Sequence, residues 1–502
     1  MYQIDAGPHQ SAESLADRVR RAVIWRSGSQ IVAQTVQWAA TFLVIRILSP
    51  TDYGLFAMTQ VVLVLLNMLN GYGLASGLVR QREVSHREVR QLFGMLLLLN
   101  GGLAAGQSLL APLAAAYYRQ PIVAELLRVQ ALLYLATPFI ALPQALLGRA
   151  MDFRHQAKAN ICASIASAAT ALGGALAGWG VWTLVAAPLA MFMVRAVALT
   201  IAARSLVWPS FDFRGAGHLA RYGGIMAAGQ LTWFAQSQAD VFIAGRWFTP
   251  HVLGLYTTGL FLTQIFVSKF VPPLNEVAFT AYARMQSRPE LLAEGFLRAV
   301  RVVMLIALPF YLGLAATAGP LVATVLGPKW VEAVPVVRLL ALAMPFMTLQ
   351  ILLTPACDAR GRPGIGVQNG ATGAAILALA FLIAVRWGAT ALAGAWIVAY
   401  PAYLGISLRR SLPIIGTRAS DLAAAIGPPV LAASAMALIV TTTDSLMPTL
   451  PAMMRLALLV VIGGAGYAGW LAIFARPLLR EVAITIGRQP ASQARVQPAP
   501  PL

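Results

Sequence analysis

Charge is scarce in this chain, and acidic charge is scarcest. Only 18 Asp and Glu stand among 502 residues against 37 Lys and Arg, and the two signs together make up 11% of the sequence. A soluble domain carries about 25% charged residues. With 59% hydrophobic residues and a mean hydropathy of +0.72, the composition excludes a water-soluble globular protein. Cysteine is nearly absent: Cys162 and Cys357 lie in or beside predicted helices and cannot form a disulfide framework. The five histidines (His9, His86, His155, His218 and His251) are scattered over tails, connections and helix ends. With no His/Cys/Asp cluster at ligand spacing, neither a metal centre nor a cofactor is expected. The net charge of +19 raises nucleic acid as a partner, but the basic residues sit between hydrophobic runs. No basic block stands beside an aromatic platform on a soluble module, which argues against that partner.

What is present is apolar runs long enough to cross a bilayer, about 20 residues each. Their charged and Pro/Gly boundaries predict spans over 23–48, 54–79, 91–117, 123–148, 159–179, 181–203, 220–247, 254–280, 296–317, 335–356, 366–386, 389–408, 422–442 and 453–475. The expected fold is all-α and integral to the membrane, with about 14 transmembrane helices. Arg18, Arg20, Arg21 and Arg26 precede a first run reaching Leu48, too long for a signal-peptide core, and no small-residue cleavage site closes it. Most Lys and Arg residues fall in the two tails and the even-numbered connections, such as Arg149, Arg154 and Lys158. Cationic connections stay in the cytoplasm, so both termini are expected there and the chain is expected to be a multi-pass protein of the bacterial inner membrane. The Pro/Gln/Ala-rich end, 489–502, reads as disordered.

The chain contains an internal repeat. Span 1 ends in Arg46-Ile47-Leu48-Ser49-Pro50, followed by Gly54-Leu55-Phe56; span 7 ends in Arg246-Trp247-Phe248-Thr249-Pro250, followed by Gly254-Leu255-Tyr256. Arg, Ser/Thr-Pro, Gly-Leu and an aromatic all recur at an offset of 200 residues. Pro112-Leu113 against Pro320-Leu321, and Arg128 against Arg338, echo it at slightly larger offsets. Two six-helix copies of equal orientation follow, related by an axis along the membrane normal. The expected organisation is a cytoplasmic tail (1–22), an N-lobe (23–217), a C-lobe (218–410), two added helices (411–476) and a cytoplasmic tail (477–502), with the lobes around a central cleft.

The run Ile47-Leu48-Ser49-Pro50-Thr51-Asp52-Tyr53-Gly54-Leu55, with Gly71-Tyr72-Gly73-Leu74-Ala75-Ser76-Gly77-Leu78-Val79, resembles the opening of the polysaccharide-transport family. That family belongs to the multidrug/oligosaccharidyl-lipid/polysaccharide exporter superfamily. Asp240-Val241-Phe242-Ile243-Ala244-Gly245-Arg246, followed by Gly254-Leu255-Tyr256, is similar to a second family segment. The resemblance implies a flippase that carries undecaprenyl-pyrophosphate-linked oligosaccharide across the inner membrane for exopolysaccharide, O-antigen or capsule synthesis. Membrane lipid and a coupling H⁺ or Na⁺ are implied with it, and polysaccharide polymerase and export machinery are candidate partners. The family has no short catalytic signature, and no enzymatic activity is expected.

A charge at the centre of a membrane helix costs about 2.5–3.5 kcal/mol on insertion scales, so the few inside predicted spans are candidate site residues. Arg46, Arg195, Arg246 and Lys269 are cations that suit a pyrophosphate. Snorkelling to the interface is the plain alternative for Arg46 and Arg246, and an ion pair with Glu276 for Lys269. Gln30, Gln34 and Gln37 with Thr41 on span 1, and Gln230, Trp233 and Ser237 with Asp240 on span 7, form polar stripes that suit sugars or serve as interhelical hydrogen-bond partners. Asp240, the acid nearest mid-membrane, is the candidate coupling-ion site, and Pro272-Pro273 the candidate hinge. A multidrug or cation exporter and a murein lipid-precursor flippase of the same superfamily are the alternatives. The first would be expected to carry an acid inside spans 1–6, where none stands.

Overall fold

The computed structural model describes residues 15–70, 85–212, 234, 236–447 and 450–475. Among them there is no strand, and the elements are helices. These are α1 (Leu15–Ile47), α2 (Pro50–Asn67), α3 (His86–Tyr118), α4 (Ile122–Gln130), α5 (Leu132–Ala136), α6 (Pro138–Arg149), α7 (Phe153–Leu176) and α8 (Val181–Ala203). A helical segment over 236–247, α9, follows. Then come α10 (Pro250–Arg284), α11 (Pro289–Ala316), α12 (Ala318–Val325), α13 (Val334–Ala359), α14 (Gly364–Ala384), α15 (Ala389–Ile415), α16 (Ala419–Leu446) and α17 (Ala452–Phe474). Among the described residues, 11 helices are long and apolar enough to cross a membrane. Predicted spans 1, 2 and 7 are not among them, and the last two lie partly outside the described residues.

The repeat motif is a helix start. Ser49 is the N-cap of α2, Pro50 takes the first turn and Asp52 is the third residue. The Ser49 N–H and Oγ donate to Asp52 Oδ2 at 2.9 and 2.6 Å, while the Asp52 N–H donates to Ser49 Oγ at 3.4 Å. This capping box satisfies backbone donors that a helix start otherwise leaves unpaired. Ser85 and Glu88 repeat the device at the start of α3. In the second copy Thr249 Oγ1 accepts from the Val252 N–H at 3.4 Å.

Two compact units divide the chain. One holds the described residues up to Phe261 with Val325–Val336 and Val367–Ala399; the other holds Leu262–Thr324, Val337–Gly366 and the described residues from Tyr400 on. In the first unit α7 packs along both α1 and α8. Its buried positions are small, with Ala157, Ala163, Ser164, Ser167, Ala168 and Gly174 among them, which lets neighbouring backbones approach closely. In the second unit α16 packs along α11 and α17, so predicted spans 13 and 14 attach beside span 9.

Candidate functional site

The two repeat copies meet within the first unit, at the ends of their first helices. A Cβ built on Gly54 would overlap the carbonyl oxygen of Pro250, and one on Gly254 would overlap that of Pro50. The contact is reciprocal, as a two-fold relation between copies requires. Glycine stands at both positions because the opposing backbone occupies the place of a side chain.

Around this contact the second copy caps helices of the first. The last carbonyls of α1 have no acceptor role inside the helix; Trp330 Nε1 donates to Ile45 O at 3.0 Å and Lys329 Nζ to Ile47 O at 2.7 Å. Trp330 is fully buried, edge-on to Tyr53 at 5.5 Å between centroids. From the second copy too, Arg246 Nη1 donates to Tyr117 O, in the last turn of α3, at 2.6 Å, with its guanidinium 5.7 Å from the Tyr117 ring centroid. Tyr117 in turn stacks on Phe242 at 4.7 Å. Lys329 and Arg246 thus place cations at helix C-termini, where the dipole favours them. The stretch 319–335 reads in sequence as a connection with little to offer. It is helical over Ala318–Val325 and Pro328–Ala333, and the buried Trp330 anchors the second of these.

Arg46 and Arg246 therefore occupy matching helix ends with different surroundings. Arg46 is exposed, and among the described residues it makes no hydrogen bond or ion pair. Its Nε lies 3.9 Å from where a Cβ on Gly327 would stand. Arg195, on α8, donates through Nη2 to Gln144 Oε1 on α6 at 3.3 Å, and its buried Nε has no partner. No described carboxylate neutralises either arginine.

Asp240 is buried in the first unit at 1% exposure. Tyr256 donates its hydroxyl to Asp240 Oδ2 at 2.8 Å, and Trp396 Nε1 donates to that hydroxyl oxygen at 2.9 Å. Sequence reasoning reached Asp240 but not Tyr256 or Trp396. Tyr256 was within reach, since it is the aromatic of the second motif, whereas Trp396 stands 140 residues further on. Of the polar stripes, Gln34 and Gln37 are half-buried and Gln30 is exposed. Thr41 donates to Gln37 O, and Ser237 to Phe234 O. Gln230 and Trp233 lie outside the described residues.

In the second unit Lys269 and Glu276 are both exposed on α10. Neither forms an ion pair among the described residues, so the pairing alternative for Lys269 is not realised there. Pro272 and Pro273 follow Lys269, and α10 remains helical through both over its 35 residues.

Eleven helices long and apolar enough to cross a membrane among the described residues, with a motif duplicated at a reciprocal contact, fit a membrane transporter. The chain belongs to the polysaccharide biosynthesis protein family, whose model matches residues 43–335. It is 23% identical over 429 residues to the teichuronic acid biosynthesis protein TuaB of Bacillus subtilis, covering 78% of this chain and 85% of that one. It is 26% identical over 333 residues to the succinoglycan biosynthesis transport protein ExoT of Rhizobium meliloti, covering 66% and 67%. Among solved structures it shares the fold of the lipid II flippase MurJ in its inward closed conformation. That match has a TM-score of 0.72 at 12% identity over 91% of this chain and 99% of that one.

Proposed function

We propose that this protein translocates undecaprenyl-pyrophosphate-linked oligosaccharide from the cytoplasmic to the periplasmic leaflet of the inner membrane by alternating access, serving exopolysaccharide, O-antigen or capsule synthesis. Family membership and relatives in teichuronic acid and succinoglycan biosynthesis support the substrate class. The observation that carries the reading is that Arg46, Arg195 and Lys269 have no carboxylate partner among the described residues. A cation held in or beside an apolar span without an internal counter-ion favours an anion brought by the cargo.

In this reading Arg46, Arg195, Arg246 and Lys269 are the contacts for the pyrophosphate. The amides of Gln30, Gln34, Gln37 and Gln230, the Ser237 hydroxyl and the Trp233 ring serve the sugars. Asp240, held by Tyr256, takes the coupling H⁺ or Na⁺, and Pro272-Pro273 lets α10 bend as access alternates. Both tails are cytoplasmic, and the N-lobe and C-lobe are the moving parts.

The test is complementation of a deletion strain. Arg46→Ala, Arg195→Ala and Lys269→Ala are each expected to lower polysaccharide export at least ten-fold at unchanged protein level, with lipid-linked intermediate accumulating. Export within two-fold of the parent in all three would remove the anion-contact reading.

A further inference from the structure

A cavity of about 330 Å³ lies in the second unit, at the end that carries the α11–α12 and α16–α17 connections. Pro320, Ala323 and Leu450 give it apolar walls, and Arg338, Asp444 and Arg455 line it with charge. We propose that this cavity binds the phosphate of a lipid head group, separately from the translocated cargo.

The charge balance comes first. Asp444 is engaged with Arg455, whose Nε donates to Asp444 Oδ1 at 2.5 Å and whose Nη2 donates to Asp444 O at 3.4 Å. Arg338 donates through Nε to the neutral carbonyl of Ala315 at 3.3 Å. Its other two nitrogens make no hydrogen bond among the described residues. Two guanidiniums thus face one carboxylate, which leaves an excess positive charge. The first turn of α17 adds to it: Ala452 lines the cavity, no side chain caps that helix start, and the dipole there is itself positive. Arg455 also sits in this first turn, paired with Asp444.

The shape narrows the ligand. A cavity of this size exceeds what a single free ion needs and falls in the range of small-molecule sites. Guanidiniums from separate helices suit a tetrahedral oxyanion, and apolar walls suit the first carbons of a lipid. Two sources share that chemistry, a bilayer phospholipid and a polyprenyl phosphate. The repeat supplies a comparison, since Arg128 matches Arg338 in the first copy but is exposed and makes no hydrogen bond or ion pair among the described residues. α16 and α17, which supply Asp444 and Arg455, have no counterpart in that copy.

The experiment is titration of the purified full chain in neutral detergent, read by native mass spectrometry, with phosphatidylglycerol, undecaprenyl phosphate, diacylglycerol and inorganic phosphate. Binding of at least one phosphate lipid is expected, weakened ten-fold or more by Arg338→Gln and by Ala323→Trp and unchanged by Arg128→Gln. Ala323→Trp fills the cavity while leaving every charge in place, so the proposal does not depend on one variant folding. Selective loss for phosphatidylglycerol assigns the site to bilayer lipid, and selective loss for undecaprenyl phosphate assigns it to the carrier. Binding unchanged in both variants, equal weakening by Arg128→Gln, diacylglycerol bound as well as either phosphate lipid, or inorganic phosphate bound alone would each overturn the proposal.

Discussion

At the residue scale the junction between the repeat copies rests on two glycines and one tryptophan. The atom that a side chain on Gly54 would strike is a backbone oxygen, which cannot rotate aside. Gly54→Leu should therefore reduce export at least ten-fold, measured as surface polysaccharide per unit of membrane-inserted protein. Gly101→Ala, at a glycine with open space around it, should stay within two-fold. Trp330→Phe keeps the ring but removes the Nε1–H donor to Ile45, a loss of about 1 kcal/mol. Trp330→Ala opens a cavity as well and should cost about 3–5 kcal/mol, both read from unfolding in detergent. The sequence made the residues of this junction visible, because Arg46/Arg246 and Gly54/Gly254 recur at one offset. It did not reveal that the copies interlock there, because an offset carries no information on which chain segments touch.

At the element scale, α10 carries an exposed lysine and a double proline within one continuous helix. Each proline removes a backbone donor, which lowers the cost of bending. Pro272→Ala combined with Pro273→Ala should stiffen α10 and slow export several-fold without changing protein abundance, measured as the rate at which labelled sugar reaches the cell surface. The long helices of the described chain were legible, since hydropathy over about 20 residues decides them. The elements over Ala318–Val325 and Pro328–Ala333 were not, because runs of 8 and 6 residues leave no periodic signal of that length. Trp330 finds its acceptor 285 residues away, and the hydroxyl that joins Asp240 to Trp396 is likewise a tertiary fact.

At the scale of the whole molecule, the distribution of Lys and Arg predicts cytoplasmic termini. Alkaline phosphatase fused after Gly178, between α7 and α8, should be active in the periplasm. A green fluorescent protein fused after residue 502 should fluoresce, and the reverse pattern would invert the topology.

The cross-copy caps also put a delay into biogenesis. The end of α1 is inserted early, yet Lys329 and Trp330, which complete it, are made 282 and 285 residues later than their acceptors. At roughly 5–20 residues per second, those carbonyls wait on the order of 15–60 s for their donors. During that interval the first half of the protein stands in the bilayer with one end unfinished, open to chaperones, to quality-control proteases and to a wrong partner. A nonsense mutation just before codon 329 should therefore yield a fragment that inserts but is degraded, while one that retains residues through 335 should persist longer.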